Sequence, residues 1–357
     1  MTTNPTRRAA LGALGAMTLG LAGWRAIHRR GLVLEDDDGA LAHAVTLERA
    51  AMATVWKVVL PAGSPRRALA AAERALDEVE RLEDLLSEFR PHTEIARVNA
   101  NAGRAAVRVS EDTLAAVEHS VRYAALCDGA FDPTWAALRS LWDFRDPRAR
   151  PPAPDAVRAR LDRVGWRGVE VDRGAKTLRL ARVGMALGLG GIAKGYTLDR
   201  MRDLLVNDRV RDFVLYSGGQ VRVEGTRQGR PWRVGIQHPR DPARLLGAVS
   251  LTSGTVSTGG DYEHYFEHAG RRYHHVIDPK TGFPVEHTVA VTVVAPTGLE
   301  GDALDTALFV MPPDRAREMA RRMDLAVMRT DPTITSEVTP AMRRRLDATP
   351  PTEGNPT

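Results

Sequence analysis

The fold class of this protein is decided by a β-rich stretch that begins with DFVLYSGGQVRVE at residues 212–224. Two runs of β-branched and aromatic residues flank a Gly218-Gly219 pair there, a pattern typical of a β-hairpin. Similar runs follow, separated by glycines, and the predicted strands are 213–216, 220–224, 232–237, 248–251, 262–267 and 288–294. Together they predict a mostly antiparallel sheet.

The sequence before this stretch is predicted to be mainly helical. A first helix over residues 64–87 has a core face made of Leu69, Ala72, Leu76, Val79, Leu82 and Leu86. Two further helices are predicted at about 111–126 and 192–206, and residues 44–60 alternate like a strand. Helices grouped early and strands grouped late favour an α+β fold, a single compact domain of sheet and packed helices over residues 31–335.

The composition is that of an ordinary soluble protein. The 357 residues are 43% hydrophobic and 27% charged, which excludes a wholly disordered chain. The formal net charge is +5, but the basic residues are scattered, so no nucleic-acid partner is expected. The single cysteine, Cys127, excludes a disulfide within this sequence, and no Cys/His cluster has the spacing of a zinc site.

The two ends of the chain differ from its middle. Arg7-Arg8 precede an apolar run at 9–24 that has no acidic residue, which predicts a twin-arginine export signal or an N-terminal membrane anchor over residues 1–30. The protein is accordingly expected on the periplasmic or extracellular side. A frayed basic terminus or a short buried helix is the alternative. Residues 336–357 are rich in Pro, Thr and Arg and are predicted to be a disordered tail.

Candidate metal ligands occur in the segment DALDT at residues 302–306. Asp302 and Thr306 are four residues apart in a predicted helix, so a carboxylate and a hydroxyl face the same way. Such oxygens are the ligands that hard cations prefer. The alternative is an acidic first helical turn that stabilises the helix dipole.

Four other blocks combine glycine or histidine with turn residues. Residues 188–196 place glycines before a helix. Backbone amides at such a helix start, together with Lys194, would bind phosphate, and the alternative is that the glycines simply form a tight turn. The segment HHVIDPKTGFP at 274–284 reads as a strand that ends in a turn, and its histidines offer proton transfer or only packing. Residues 128–134 indicate a glycine turn and a helix N-cap, and residues 216–220 indicate a hairpin turn.

Taken in order, these blocks resemble the ApbE family of FAD:protein FMN transferases. The resemblance is carried by MATVW (52–56), SEFRPHTEI (87–95), GAFDPT (129–134), GGIAKG (190–195), HVIDPKTG (275–282) and DALDTA (302–307). It implies a magnesium-dependent enzyme that moves FMN from FAD to a threonine hydroxyl of a partner flavoprotein and releases AMP. Members of the family are typically exported, in agreement with the N-terminal prediction.

The resemblance also implies a site, residue by residue. Mg²⁺ would be held by Asp302, Thr306 and the backbone carbonyl of Gly191, and His275 is the candidate base. The FAD substrate would contact Met52, Phe89, Ala130, Phe131, Asp132, Lys194 and Val276.

Two positions depart from the family pattern. Gly188 stands where many members have an aspartate that is implicated in holding the adenine side of FAD, and Ala53 replaces a glycine. Because a missing carboxylate removes a hydrogen-bond acceptor, the sequence predicts that Gly188→Asp tightens FAD binding.

Two other functions fit the same residues. A periplasmic FAD-binding protein without transfer would agree with Gly188 but not with the intact Asp302 and Thr306. An FAD pyrophosphatase would use water in place of the threonine and would release FMN and AMP.

Overall fold

The computed structural model describes residues 32–34 and 44–347. Its α-helices are α1 Arg66–Leu86, α2 Glu94–Ala100, α3 Glu111–Leu126, α4 Pro154–Arg158, α5 Ala193–Asn207, α6 Gly298–Val310, α7 Pro313–Arg322 and α8 Pro340–Arg343. Three 3-10 helices cover Pro133–Leu141, Leu161–Arg163 and Trp166–Gly168. The three helices predicted at 64–87, 111–126 and 192–206 are confirmed as α1, α3 and α5, within two residues at each end.

The strands are β1 Leu32–Leu34, β2 Val45–Ala51, β3 Thr54–Leu60, β4 Val107–Arg108, β5 Val169–Asp172, β6 Thr177–Leu180, β7 Phe213–Ser217, β8 Gln220–Glu224, β9 Trp232–His238, β10 Asp241–Leu251, β11 Ser253–Gly260, β12 Tyr265–His268, β13 Arg271–His274, β14 Ala290–Ala295, β15 Ala326–Thr330 and β16 Ser336–Val338. Eight of them form a sheet in the order β16-β15-β14-β11-β8-β7-β3-β2, with every neighbouring pair antiparallel. The predicted α+β fold with a mostly antiparallel sheet is thus confirmed.

The two faces of the eight-stranded sheet are covered by different structures. Helices α1 and α5 pack on one face, where Phe213 and Leu215 of β7 join their apolar core. On the other face lies a smaller sheet of order β1-β9-β10, and Val214 and Tyr216 pack toward it. Successive side chains of a strand point to opposite faces, so the single strand β7 contributes to both cores.

The run at 44–60, which the sequence predicts as one strand, is a hairpin of β2 and β3. Ala51 pairs with Thr54, leaving a two-residue turn at Met52 and Ala53 with φ angles of 48° and 59°. Both residues are left-handed, the geometry of a type I′ turn, which normally uses Asn and Gly. Met-Ala carries no such signal, which is why the sequence pattern missed the turn.

The prediction of disorder from residue 336 is wrong for the part of the tail that the structure describes. Strand β16 extends the sheet, and α8 follows it, with the hydroxyl of Thr339 accepting a hydrogen bond from the Met342 N–H. Ala341 and Met342 are buried between the two sheets. The prediction of disorder relied on composition, which does not reveal two individual buried residues or the Thr-Pro pair that starts the helix. Residues 348–357 lie outside the described part.

The predicted export signal at residues 1–30 also lies outside the described residues. Among the helices that the structure does describe, none is long and apolar enough to span a membrane.

Candidate active site

The predicted site residues come together in one cavity of about 490 Å³. Its wall includes the β2–β3 turn, the β7–β8 turn, the start of α5 and the middle of α6. Every residue that the family resemblance assigned lines this cavity: Met52, Phe89, Ala130, Phe131, Asp132, Gly191, Lys194, His275, Val276, Asp302 and Thr306. Segments as far apart in sequence as Met52 and Thr306 therefore form one site.

Asp302 is positioned by a close contact between α5 and α6. A side chain at Gly195 of α5 would collide with the backbone carbonyl of Gly298 and lie 2.8 Å from the Asp302 Cβ. Since Gly195 has no side chain, its N–H reaches the Asp302 carboxylate and donates a 2.9 Å hydrogen bond to Oδ2. The glycine is needed here for backbone approach, because α5 and α6 could not come together around a larger residue.

The alternative role for Asp302, an acid in the first turn of its helix, is wrong. Helix α6 begins at Gly298, and Thr297 caps it by accepting a hydrogen bond from the Glu300 N–H. The carboxylate of Asp199 accepts the N–H groups of Gly298 and Leu299 at 2.7 and 2.9 Å. These groups satisfy the helix start, which leaves Asp302 one turn further on to face the cavity.

The residues around Asp302 fit a divalent cation. Asp302 is 3% exposed, and burial raises the pKa of its carboxyl, although the Lys194 ammonium and the Gly195 N–H partly oppose the shift. The Thr306 hydroxyl lies 3.2 Å from the point where a Gly191 Cβ would stand, so Gly191 and Thr306 are neighbours. A buried carboxylate is costly unless a positive charge compensates it.

Lys194 supplies part of that compensation. Its Nζ donates to the Gly190 carbonyl at 2.8 Å and lies 3.6 Å from Asp302 Oδ1. Within the described residues, no group of three or more His, Cys, Asp or Glu side chains has metal-binding geometry. Asp302, Thr306 and Gly191 could instead offer a carboxylate, a hydroxyl and a carbonyl oxygen, which are ligand types that hard cations take.

Asp305 is a cavity residue that the sequence did not single out. It accepts hydrogen bonds from the Ser257 hydroxyl at 2.5 Å and from the Thr306 hydroxyl at 3.1 Å. Burial and the neighbouring Asp302 charge raise the pKa of Asp305 to about 8. A raised pKa means that Asp305 tends to keep its proton while no positive charge is nearby, and a cation beside Thr306 would favour the ionised carboxylate.

The two histidines of the HHVIDP block have different surroundings. His274 is buried, with Nε2 against the Val285 carbonyl at 2.7 Å and Nδ1 accepting the Val276 N–H. His275 lines the cavity, and its Nδ1 has no hydrogen-bond partner in the part of the chain that the structure describes. Burial, helped by the nearby His274 and His264, lowers the pKa of His275 to about 3. His274 is therefore structural, whereas His275 is neutral and has a nitrogen available.

A second unpartnered polar atom lines the same cavity. Gln220 is 1% exposed, and its Oε1 has no hydrogen-bond partner among the described residues. Buried polar atoms are almost always satisfied, so Gln220 Oε1 and His275 Nδ1, together with the unpartnered indole N–H of the cavity residue Trp142, indicate a place for a polar ligand. Gln220 follows the Gly-Gly turn of the 212–224 hairpin, which was the available sequence signal.

Asp132 and Phe89 illustrate two ways of lining the cavity. Asp132 caps the 3-10 helix at Pro133, as the sequence predicted: Oδ1 accepts from both the N–H and the hydroxyl of Thr134, and Oδ2 accepts from the Trp166 N–H. Its carboxylate is thus already occupied. Phe89 is instead 68% exposed at the rim, where its only cation–π partner among the described residues is Arg139.

The structure leaves no room for a side chain at Gly188. An added Cβ would lie 2.8 Å from the Ala136 Cβ and 2.6 Å from Arg139 Nη2. Arg139 is there because it pairs with Glu88, and both line the cavity. The expected benefit of Gly188→Asp therefore conflicts with the local packing. Glu88 could have been identified as a cavity residue because it is next to Phe89 in the sequence. No sequence pattern indicated Arg139.

Comparison with known proteins places this geometry in a family. Residues 52–329 match the ApbE family. The FAD:protein FMN transferase of Escherichia coli K12 is 34% identical over 289 residues, which are 79% of this chain and 82% of that protein. The enzyme of the same name from Treponema pallidum is 36% identical over 266 residues, or 69% and 74% of the two chains.

Solved structures agree with the sequence comparison. The crystal structure of the ApbE protein from Thermotoga maritima superposes with a TM-score of 0.79 at 30% identity, covering 85% of this chain and 99% of that one. The chain therefore belongs to the ApbE family.

Proposed function

We propose that this protein is a magnesium-dependent FAD:protein FMN transferase that modifies a threonine hydroxyl of a partner flavoprotein and releases AMP. The observation that carries the proposal is that Asp302, Thr306 and Gly191 line one cavity with Lys194, and that Gln220 Oε1 and His275 Nδ1 in the same lining have no hydrogen-bond partner among the described residues. Family membership supports the flavin chemistry, since the relatives above are named for FMN transfer.

The proposed reaction is a phosphoryl-type displacement. The threonine oxygen bonds to the flavin-side phosphorus of FAD, the bond from that phosphorus to the bridging oxygen breaks, and AMP leaves with that oxygen while the hydroxyl loses its proton. Bound Mg²⁺ would offset the diphosphate charge and polarise the phosphorus. Such a reaction needs chiefly positioning and charge stabilisation from the protein.

Named residues divide these tasks. Asp302, Thr306 and the Gly191 carbonyl would hold the metal, with Gly195 fixing the Asp302 carboxylate. Lys194 presents a positive charge near the diphosphate position. His275, neutral and with a free Nδ1, would accept the hydroxyl proton.

One incubation separates this function from the two alternatives. The purified protein is mixed with FAD, Mg²⁺ and a domain that carries an acceptor threonine, and the products are analysed by mass spectrometry and chromatography. Covalent FMN on the acceptor together with AMP supports the transferase. Free FMN and AMP without acceptor labelling would make it a pyrophosphatase, and intact bound FAD would make it a binding protein.

We also propose that the protein acts on the periplasmic or extracellular side, exported by the twin-arginine route and possessing either a cleaved signal or a membrane anchor. The support is Arg7-Arg8 before the apolar run at 9–24. Replacing Arg7 and Arg8 by lysine should retain the protein in the cytoplasm. The matched control is the same replacement at Arg29 and Arg30, which follow the apolar run; equal export of both variants would contradict the route.

A further inference from the structure

We propose that Glu88 and Arg139 together bind one of the two ring systems of FAD. Glu88 would accept a hydrogen bond from an N–H group on the ring edge, and Arg139 would donate to the hydrogen-bond acceptor beside it. The inference rests on the proposed function, because it takes FAD as the ligand of this cavity. Glu88 and Arg139 would thus take over the contact with FAD that the family resemblance gives to an acid at position 188, where there is no room for a side chain.

The first observation is the packing around Gly188. The Gly188 N–H donates to the Pro133 carbonyl at 2.8 Å, so its backbone is held against the 3-10 helix that carries Ala136 and Arg139. The point where its Cβ would stand is 3.4 Å from Glu88 Oε1. The Glu88 carboxylate thus occupies the neighbourhood into which a side chain at 188 would point.

The second observation is the set of atoms that the pair leaves available. Glu88 bonds Arg139 Nη2 through Oε1 only, and Oε2 accepts no hydrogen bond from any residue in the described ranges. Arg139 likewise donates only through Nη2 there, which leaves Nε and Nη1. The Glu88 side chain is 8% exposed, so it is largely withdrawn from water. Glu88 lines the cavity, so this free carboxylate oxygen can accept a hydrogen bond from a ligand there.

The third observation concerns the aromatic rings that lie against Arg139. The Arg139 guanidinium lies over the Phe89 ring at 4.6 Å and over the Trp135 ring at 5.0 Å, and all three line the cavity. These stacks fix the guanidinium plane. Phe89, exposed at the rim, also offers its ring face to a planar ligand.

The chemistry of the pair selects the ligand edge. An ionised carboxylate only accepts hydrogen bonds and a guanidinium only donates them. Adenine presents its amino N–H beside a ring nitrogen, and the isoalloxazine presents its imide N–H beside carbonyl oxygens. Both ring systems of FAD carry the required edge, so the fragments AMP and FMN distinguish them.

The test measures dissociation constants of FAD, AMP and FMN, without acceptor protein, for the wild type, Glu88→Gln and Arg139→Lys. The first substitution keeps the side-chain length and removes the acceptor charge, whereas the second keeps the positive charge but is slightly shorter and removes the planar fork. We expect each to weaken FAD binding by about tenfold or more, and to weaken one fragment by a similar factor while sparing the other. Gly188→Asp, which would displace Arg139, should also weaken FAD binding.

Glu170→Gln is the matched control, because Glu170 pairs with Arg179 on the surface away from the cavity. Thermal melting of each variant tests folding. Unchanged FAD affinity in Glu88→Gln would overturn the proposal, as would an equal loss for both fragments. A wild type that does not bind FAD would instead reject the proposed function, which keeps the two failures distinct.

Discussion

The two faces of the eight-stranded sheet differ in the polarity of the residues packed against them. On the face toward the small sheet, Trp232, Val234 and Val249 form an apolar core, and the Trp232 indole N–H donates to the Glu224 carbonyl. On the helical face the core opens at one end into the cavity, where Asp302 and Asp305 are buried and His275 Nδ1 has no partner within the described ranges.

The two faces therefore contribute differently: one mainly stabilises the fold, and the other provides the site for a ligand. The face toward the small sheet contributes free energy of folding by burying apolar surface, whereas the cavity holds charged and unsatisfied groups that cost free energy until a ligand arrives. Substitutions on the first face should therefore change stability alone. Substitutions around the cavity should change ligand binding or transfer, with smaller and sometimes favourable effects on folding.

The largest stability effect is expected from Trp232→Ala. Trp232 is buried between the sheets and lies away from the cavity wall, so truncation should lower the free energy of unfolding by about 3–5 kcal/mol. Denaturant unfolding measures the loss, with Trp232→Phe as the milder control. FAD affinity, measured where the variant is folded, should not change; a large change would mean that the two faces are coupled.

A smaller stability effect, joined to a large functional one, is expected from Gly195→Ala. The methyl group would collide with Gly298 and push α6 away, costing about 1–3 kcal/mol and displacing Asp302. FMN transfer should fall far more than stability does. Gly190→Ala is the control for folding, because its methyl would meet no protein atom within 4 Å. Full transfer by Gly195→Ala would show that the helix contact does not position the carboxylate.

The neutral His275 should make stability depend on pH. Its pKa is about 3 when folded against an ordinary value of 6.5, so the unfolded chain binds the proton first as the pH falls. Stability from this group is complete above pH 6.5 and is lost between 6.5 and about 3, by at most about 1.4 kcal/mol per pH unit.

His275→Phe removes this titration, and the measurement is the difference in unfolding free energy between wild type and variant at several pH values. The wild type should lose stability relative to the variant as the pH falls. A constant difference from pH 7 to 5 would contradict the buried neutral state.

The smallest effect is expected at the cavity turn. Ala53→Gly relieves a left-handed conformation and should raise the free energy of unfolding by about 1 kcal/mol. Ala50→Gly, in the adjacent extended strand, should instead lower it. Thermal melting compares the two, and a destabilised Ala53→Gly would show that the turn is not strained.

Periodic and ordered patterns were predictable from the sequence. The apolar spacing in α1 and the double run around Gly218-Gly219 identified their elements, because local chain geometry sets those patterns. The family blocks identified the wall of the cavity, although each block alone fitted an ordinary turn or cap.

Features that depend on packing were not predictable. The hairpin at Met52 and Ala53 uses residues without turn preference, and α8 is held by only two buried side chains. The space at Gly188 is set by Arg139, which is itself placed by Glu88. No local pattern encodes such a three-way contact.

The central claim is that Asp302 holds the metal on which transfer depends, and the most direct measurement is Mg²⁺-titrated FMN transfer by Asp302→Ala. Glu300→Gln, an acid on the same helix outside the cavity, is the control and should transfer normally. We predict no transfer by Asp302→Ala at any Mg²⁺ concentration, with metal-free stability maintained or raised because a buried charge is removed. Normal turnover by Asp302→Ala at ordinary Mg²⁺ would contradict the metal site and the mechanism built on it.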